Sequence, residues 1–170
     1  MTNNDILIRL RYALDIKDMD MVEIFKLGGV ELTKEEVQKM LAKQPDEEYD
    51  VHGNLIENDE FMSCNNKTLE SFLNGFITFK RGKQEVKPGQ PEFPPLTNEH
   101  VNNMLLKKVK IALTLTSEDM IEIIEAPGAA TISKGELGAL LRKQGHKNYK
   151  ECGDKYARNF LKGLALKYRG

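Results

Sequence analysis

The residues of this chain that suggest chemistry most directly are cations. From Arg142 to Gly170 there are nine Lys and Arg against two acids, Glu151 and Asp154. Arg142, Lys143, Lys147, Lys150, Lys155, Arg158 and Lys162 interleave there with His146, Tyr149, Tyr156 and Tyr168. Lysine and arginine neutralise phosphates, and aromatic rings can stack on bases. This pattern therefore predicts an anionic partner, nucleic acid first and an acidic protein second. The competing reading is a solvated helix face beside ordinary core aromatics, since one side of a surface helix must point outward.

The remaining candidates are weaker. Asp20 and Glu23, and again Asp119 and Glu122, lie three residues apart on a predicted helix, close enough to share a proton or a divalent cation. Acids in a first helical turn also complement the helix dipole, and neither a paired His nor a loop of alternating Asp and Asn accompanies them. Cys64 and Cys152 each precede a predicted helix start. A thiol placed there can be activated, but a free cysteine is more often a small buried contact. His146 lies near Cys152, with no equivalent before Cys64. The sequence thus predicts no catalytic constellation, metal or cofactor, and a binding protein rather than an enzyme. A helix-turn-helix in the second half fits loosely, because the connection Glu125 to Ile132 is long and Gly135 and Gly138 weaken the helix after it.

These candidates sit in a duplicated framework. Asn102 to Ile124 repeats Asn3 to Phe25 without a gap at an offset of 99 residues (102 minus 3), matching Leu7/Leu106, Ala13/Ala112, Asp20/Asp119 and Ile24/Ile123 among others. Ile6, Leu7, Leu10, Ala13 and Leu14 have helical spacing, with Asn4 as the expected cap. Asp18 is expected to cap a second helix closed by Gly28 and Gly29, and Thr33 to Glu36 form a capping box for a third, ending by Pro45. Asn66 is expected to start a fourth helix that ends at Gly82. The second copy repeats these signals at Asn103, Ser117, Ser133 to Glu136 and Asp154. Gly75 and Gly163 stand inside the fourth helices, where each costs about 1 kcal/mol relative to Ala; this points to close approach of another helix. The doublets Asn3-Asn4 and Asn102-Asn103 offer a cap and a spare amide each, expected to bond nearby backbone.

No segment alternates as a strand would, so the fold class is all-α: two tandem copies of a small four-helix domain joined by a Pro-rich linker. The copies are residues 3–82, with an acidic insertion at 46–61, and 102–170. Residues 83–101 hold Pro88, Pro91, Pro94 and Pro95 and read as an extended connector. Units of about 70 residues bury little surface alone, so the two are expected to share an interface. They differ in charge. Residues 3–82 carry 10 Lys and Arg against 16 Asp and Glu (net −6), and residues 102–170 carry 13 against 7 (net +6). That asymmetry fits an anionic partner or self-association between an acidic copy and a basic one. Two cysteines make no disulfide framework, and no apolar run approaches a membrane span or a signal peptide, so a cytoplasmic location is expected.

The segments NDILIRLRYAL, SFLNGFITFKRGK, NNMLLKKVKIALTL and HKNYKECGDKYARNFLKGLA resemble the YehS family of uncharacterised bacterial proteins. The resemblance spans nearly the whole chain. It implies a tandem helical domain and assigns no catalytic residue.

Overall fold

The computed structural model describes residues 1–83 and 85–170, so Gln84 of the linker lies outside the described residues. These form eight α-helices: α1 (Asn3–Leu14), α2 (Asp18–Leu27), α3 (Lys34–Met40), α4 (Asn66–Arg81), α5 (Val101–Ala112), α6 (Ser117–Glu125), α7 (Lys134–Leu141) and α8 (Asp154–Tyr168). Among the described residues the only extended pairing is one bridge, Tyr49 to Leu55, and no helix is long and apolar enough to cross a membrane.

The helices lie where the apolar spacing places them, but several caps differ. Thr2 and not Asn4 caps α1, in a capping box with Asp5, and Thr116 and not Ser117 caps α6, in a box with Asp119. Asn65 and not Asn66 caps α4. Lys17, His100 and Gly153 precede α2, α5 and α8 without a side-chain cap bond, so Asp18, Asn103 and Asp154 do not cap them. Each expected capping residue sits inside its helix, where its side chain is free for other partners. The box at Thr33 and Glu36 forms, and Ser133 caps α7. Helix α3 stops at Met40, well before Pro45.

The two copies interleave. Each fourth helix packs on the second helix of its own copy, α4 on α2 and α8 on α6, and along the first helix of the other copy, α4 on α5 and α8 on α1. Contacts of α1 with α4 are slight by comparison. Hydrogen bonds at both ends show that the paired helices run parallel. The Met1 ammonium meets Asp154 at 3.1 Å where α1 and α8 begin, and Arg169 donates to the Tyr12 carbonyl at 3.0 Å where they end. On the other side Arg81 reaches the Ile111 carbonyl at 3.3 Å, joining the ends of α4 and α5. Arg81 and Arg169, like Ile111 and Tyr12, are equivalent positions of the repeat, so the packing follows an internal twofold relation.

Parallel neighbours require a connection that returns the length of a helix. At about 1.5 Å per residue, α4 spans about 24 Å, which the 18 residues from Lys83 to His100 cover with slack. The Pro-rich segment is therefore a crossover lying against the bundle. One continuous core runs through both copies, from Leu10, Ile24, Phe25, Phe72 and Phe76 to Leu105, Leu106, Ile124, Phe160 and Leu164. Within it Phe25 and Phe72 meet at 4.9 Å between ring centroids.

Candidate anion-binding face

The best-formed polar cluster is the duplicated asparagine pair, and its partners are distant in sequence. Asn4 Nδ2 donates to the carbonyls of Met40 and Met62, both at 2.9 Å, and its Oδ1 accepts from the Cys64 amide at 3.0 Å. In the second copy Asn103 repeats this with Leu140 at 3.0 Å, Lys150 at 2.9 Å and the Cys152 amide at 2.8 Å. Asn3 and Asn102 tie the same segments down through the carbonyls of Cys64 and Cys152. The expected local bonds are thus replaced by a clamp that joins the third helix, the following loop and the start of the fourth. Both copies use every polar atom of the clamping amide, and buried polar groups are retained in a core only when paired in this way. The cluster is structural.

Cys64 and Cys152 sit inside that clamp, buried, each with its thiol within reach of the next residue's carbonyl. Burial pushes both thiols up to about 12, away from the activation that proximity to a helix start can give. Alkylation of the native protein at neutral pH should therefore follow global unfolding; rapid modification of the folded chain would refute this. An acid whose pKa is raised by folding stays protonated in the fold while the unfolded chain ionises. The thiols' contribution to stability is then full below the usual 9.0 and declines as pH rises from there toward 12.

The carboxylate pairs resolve differently. Asp119 accepts from the Thr116 amide, which holds its carboxyl below the usual range, while Asp20, Glu23 and Glu122 are exposed. Among the described residues no three His, Cys, Asp or Glu side chains converge.

All seven basic candidates, Arg142, Lys143, Lys147, Lys150, Lys155, Arg158 and Lys162, are exposed. They form two groups. Lys155, Arg158 and Lys162 lie on one stripe of α8, continued by Arg169, because spacings of three, four and seven return to the same side of a helix. The other four belong to the loop between α7 and α8 or its edge. Of the aromatic residues interleaved with them, His146 and Tyr168 are exposed, whereas Tyr149 and Tyr156 are not. Tyr149 is half-buried, and the Tyr156 hydroxyl donates toward the Thr131 carbonyl at 3.3 Å, with Glu136 at the same distance. Helix α7 offers no row of free cations either, since Lys134 pairs with Glu118 at 3.2 Å.

The stripe becomes informative beside its duplicate. With an offset of 88 between the fourth helices (152 minus 64), Arg158 and Lys162 correspond to Glu70 and Asn74. Glu70 is only 1% exposed and Asn74 only 6%. The end of the crossover lies over Glu70, whose carboxylate accepts from the Thr97 amide at 2.8 Å, the Thr97 hydroxyl at 2.9 Å and the Asn98 amide at 3.2 Å. Lys108 of α5 donates to Asn74 Oδ1 at 2.6 Å. The first copy's face is thus covered at Glu70 by Thr97 and Asn98 of the crossover, whereas the second bears exposed Lys162 and an exposed Arg158 that lies 3.7 Å from Asp154. The sequence suggested the reversal of charge through its halves; that the reversal marks a covered and an uncovered version of one surface required the fold.

A cavity of about 970 Å³ opens between α2, α4 and the crossover, lined by Leu27, Gly29, Val86 and Phe93 with Glu23, Lys26, Glu31 and Glu92 at its walls. Its acids and bases are mixed and exposed.

Comparison with known proteins agrees with this organisation. A family model described as "Protein of unknown function (DUF1456)" matches residues 3–82 and 102–170. The chain is similar to the uncharacterized protein YehS of Escherichia coli (strain K12), with 38% identity over 168 residues, covering 98% of this chain and 96% of that protein. No solved structure matches it.

Proposed function

Because the chain belongs to the DUF1456 family of proteins of unknown function, we propose a role from its own surface: a binding protein, without catalysis, that takes an anionic partner on the open face of α8. One observation carries this. Two copies of one helix share their buried pattern, yet the exposed face of the second bears Arg158 and Lys162 where the first buries Glu70 and Asn74. Packing in the core does not require that reversal, so it belongs to what the surface meets. A cationic stripe raises the local concentration of polyanions and speeds their encounter, and salt screens it.

The test is anisotropy of labelled oligodeoxythymidylate and labelled oligo-L-glutamate with the full chain at several salt concentrations. Binding of either that weakens with salt is expected. Joint reversal of Lys155→Glu, Arg158→Glu and Lys162→Glu should lower affinity at least about tenfold while leaving helicity intact, since exposed charges contribute little to folding. Absence of binding at low salt by a folded protein would overturn the proposal.

Self-association has its own support in the acidic loop of the first copy. Its turn bears Tyr49, Val51, Leu55 and Ile56 exposed among Glu47, Glu48, Asp50 and Glu57. A salt-sensitive increase in mass on sedimentation, lost on deletion of residues 46–60, would support this second reading.

A further inference from the structure

The four cations outside the α8 stripe, Arg142, Lys143, Lys147 and Lys150, have a counterpart of opposite charge in the first copy. The segments that join the third helix to the fourth, residues 41–65 and 142–153, occupy equivalent places of the repeat. Residues 46–60 carry seven acids and no Lys or Arg, whereas residues 142–150 carry four Lys and Arg and no acid. We propose that this end of the molecule meets the same end of a second molecule of this chain, with the acidic turn of each on the basic loop of the other. This rests on the self-association reading and specifies its partner surface.

The acidic segment presents an ordered face. The Asp50 amide donates to the Asn54 carbonyl and the Ile56 amide to the Glu48 carbonyl, both at 2.8 Å, around the bridge between Tyr49 and Leu55. That pattern makes Tyr49 and Leu55 a non-hydrogen-bonded pair whose side chains lie together on one face. Glu47 and Glu57, two residues along the chain on either side, flank them there, and Glu47 accepts from the Tyr49 hydroxyl at 2.7 Å. The Asp50 carboxylate closes the turn by accepting from the His52 and Asn54 amides, both at 2.9 Å. Yet every residue from Asp46 to Glu60 is exposed, Val51 at the tip to 95%. A two-stranded hairpin that packs on nothing is marginal in water, and an apolar pair rimmed by acids is complemented by a basic surface. The basic loop is ordered too. The Lys150 amide donates to the Ala139 carbonyl at 3.1 Å, and His146 Nδ1 accepts from the Asn148 amide at 3.0 Å, which leaves Nε2 as the ring's donor.

Both segments are anchored at one end of the molecule. The Met1 ammonium joins the start of α1 to Asp154 of α8, Asn3 joins it to Asn66 of α4, and Asn102 joins the start of α5 to Asp154. Helices α1, α4, α5 and α8 thus begin together. The internal twofold, which exchanges α1 with α5 and α4 with α8, therefore runs along their common direction and sets the turn and the loop on opposite sides of that end. A second molecule turned over about an axis perpendicular to the helices can meet it in two registers. One sets turn on turn and loop on loop, which like charges oppose. The other sets each turn on the opposite molecule's loop and makes the same contact twice. Charge selects the second.

The experiment is sedimentation of the full chain and of charge-reversed variants, each checked for helicity. Wild type should self-associate, and less so as salt rises. Lys143→Glu/Lys147→Glu and Glu47→Lys/Glu57→Lys should each raise the dissociation constant about tenfold or more, and a Lys26→Glu/Lys87→Glu control on other exposed cations less than about twofold. An equimolar mixture of the two weakened variants should regain the association of wild type, because each then offers the other opposite charge at both contacts. A mixture as weak as its components would overturn the proposal. If deletion of residues 46–60 abolishes association but reversal of the loop does not, the turn meets another surface, and the proposal falls while the self-association reading stands. If wild type stays monomeric at low salt, both fail.

Discussion

Adding a single methyl group at Gly163 should destabilise the protein by about 3 kcal/mol, the upper part of the range for overpacking a core. Helix propensity alone predicts the opposite sign, because Ala is better than Gly in a helix by about 1 kcal/mol. The geometry decides between them. A Cβ at Gly163 would lie 1.8 Å from the Ile123 carbonyl oxygen and 2.7 Å from its carbon, so the backbones of α6 and α8 must move apart. Gly75 is equivalent, with a Cβ 1.9 Å from the Ile24 carbonyl oxygen and 2.7 Å from the Gly28 amide nitrogen. Backbone cannot yield as a flexible side chain does, and every apolar contact of the fourth helix with the second depends on that distance. A fall in the urea midpoint of Gly163→Ala and of Gly75→Ala is therefore expected. Gly138→Ala, where a Cβ meets nothing within 4 Å, should instead show the gain that propensity predicts. A Gly163→Ala protein as stable as wild type would mean that the helices do not cross this closely.

How much of this was visible in the chain beforehand depends on the range of the interaction. The helices and their buried faces were legible because Leu7, Leu10, Met21, Ile24, Phe72 and Phe76 recur with a helical period, and the duplication repeated each signal. Caps were legible to within a residue or two. In Thr2-Asn3-Asn4 and Thr116-Ser117 neighbouring residues compete for one role, and the choice depends on where the chain turns. The asparagine doublets stand out in the sequence, but their partners at Met40, Met62 and Cys64 are joined only by the fold. Gly28 was read as a helix stop. It is also half of the contact with α4, where a Cβ would lie 1.8 Å from the Ser71 carbonyl oxygen, and Gly29 at φ +94° makes the left-handed turn.

The candidate site was half legible. Local charge marks Lys155, Arg158 and Lys162, which the fold sets on one exposed stripe, while of the interleaved rings Tyr149 and Tyr156 are partly buried and His146 and Tyr168 are exposed. Periodicity says which face of a helix is buried without saying against what. For the same reason Pro88, Pro91, Pro94 and Pro95 read as a spacer between domains, whereas the parallel order of α4 and α5 makes the segment a crossover.

That pairing has its largest consequence if the chain is severed in the crossover. Residues 97–170 alone would retain α5 to α8 but expose the surface of α5 that α4 covers and the surface of α8 that α1 covers. Residues 1–82 would expose the matching faces of α1 and α4. Burying a large apolar side chain stabilises by about 1.5–3 kcal/mol, so losing several such contacts exceeds the stability of a domain this small. A half can recover its missing cover from the other half or from a second copy of itself. The mixed pair is favoured because residues 1–82 at net −6 meet residues 97–170 at net +5, whereas two like halves repel. The decisive measurement is circular dichroism of each half and of their equimolar mixture over a range of concentrations. The interleaved fold predicts halves that lack a cooperative transition when dilute and a mixture that regains the helicity and transition of the intact chain. Residues 97–170 folding cooperatively as a monomer, with a midpoint independent of concentration and unmoved by residues 1–82, would contradict it.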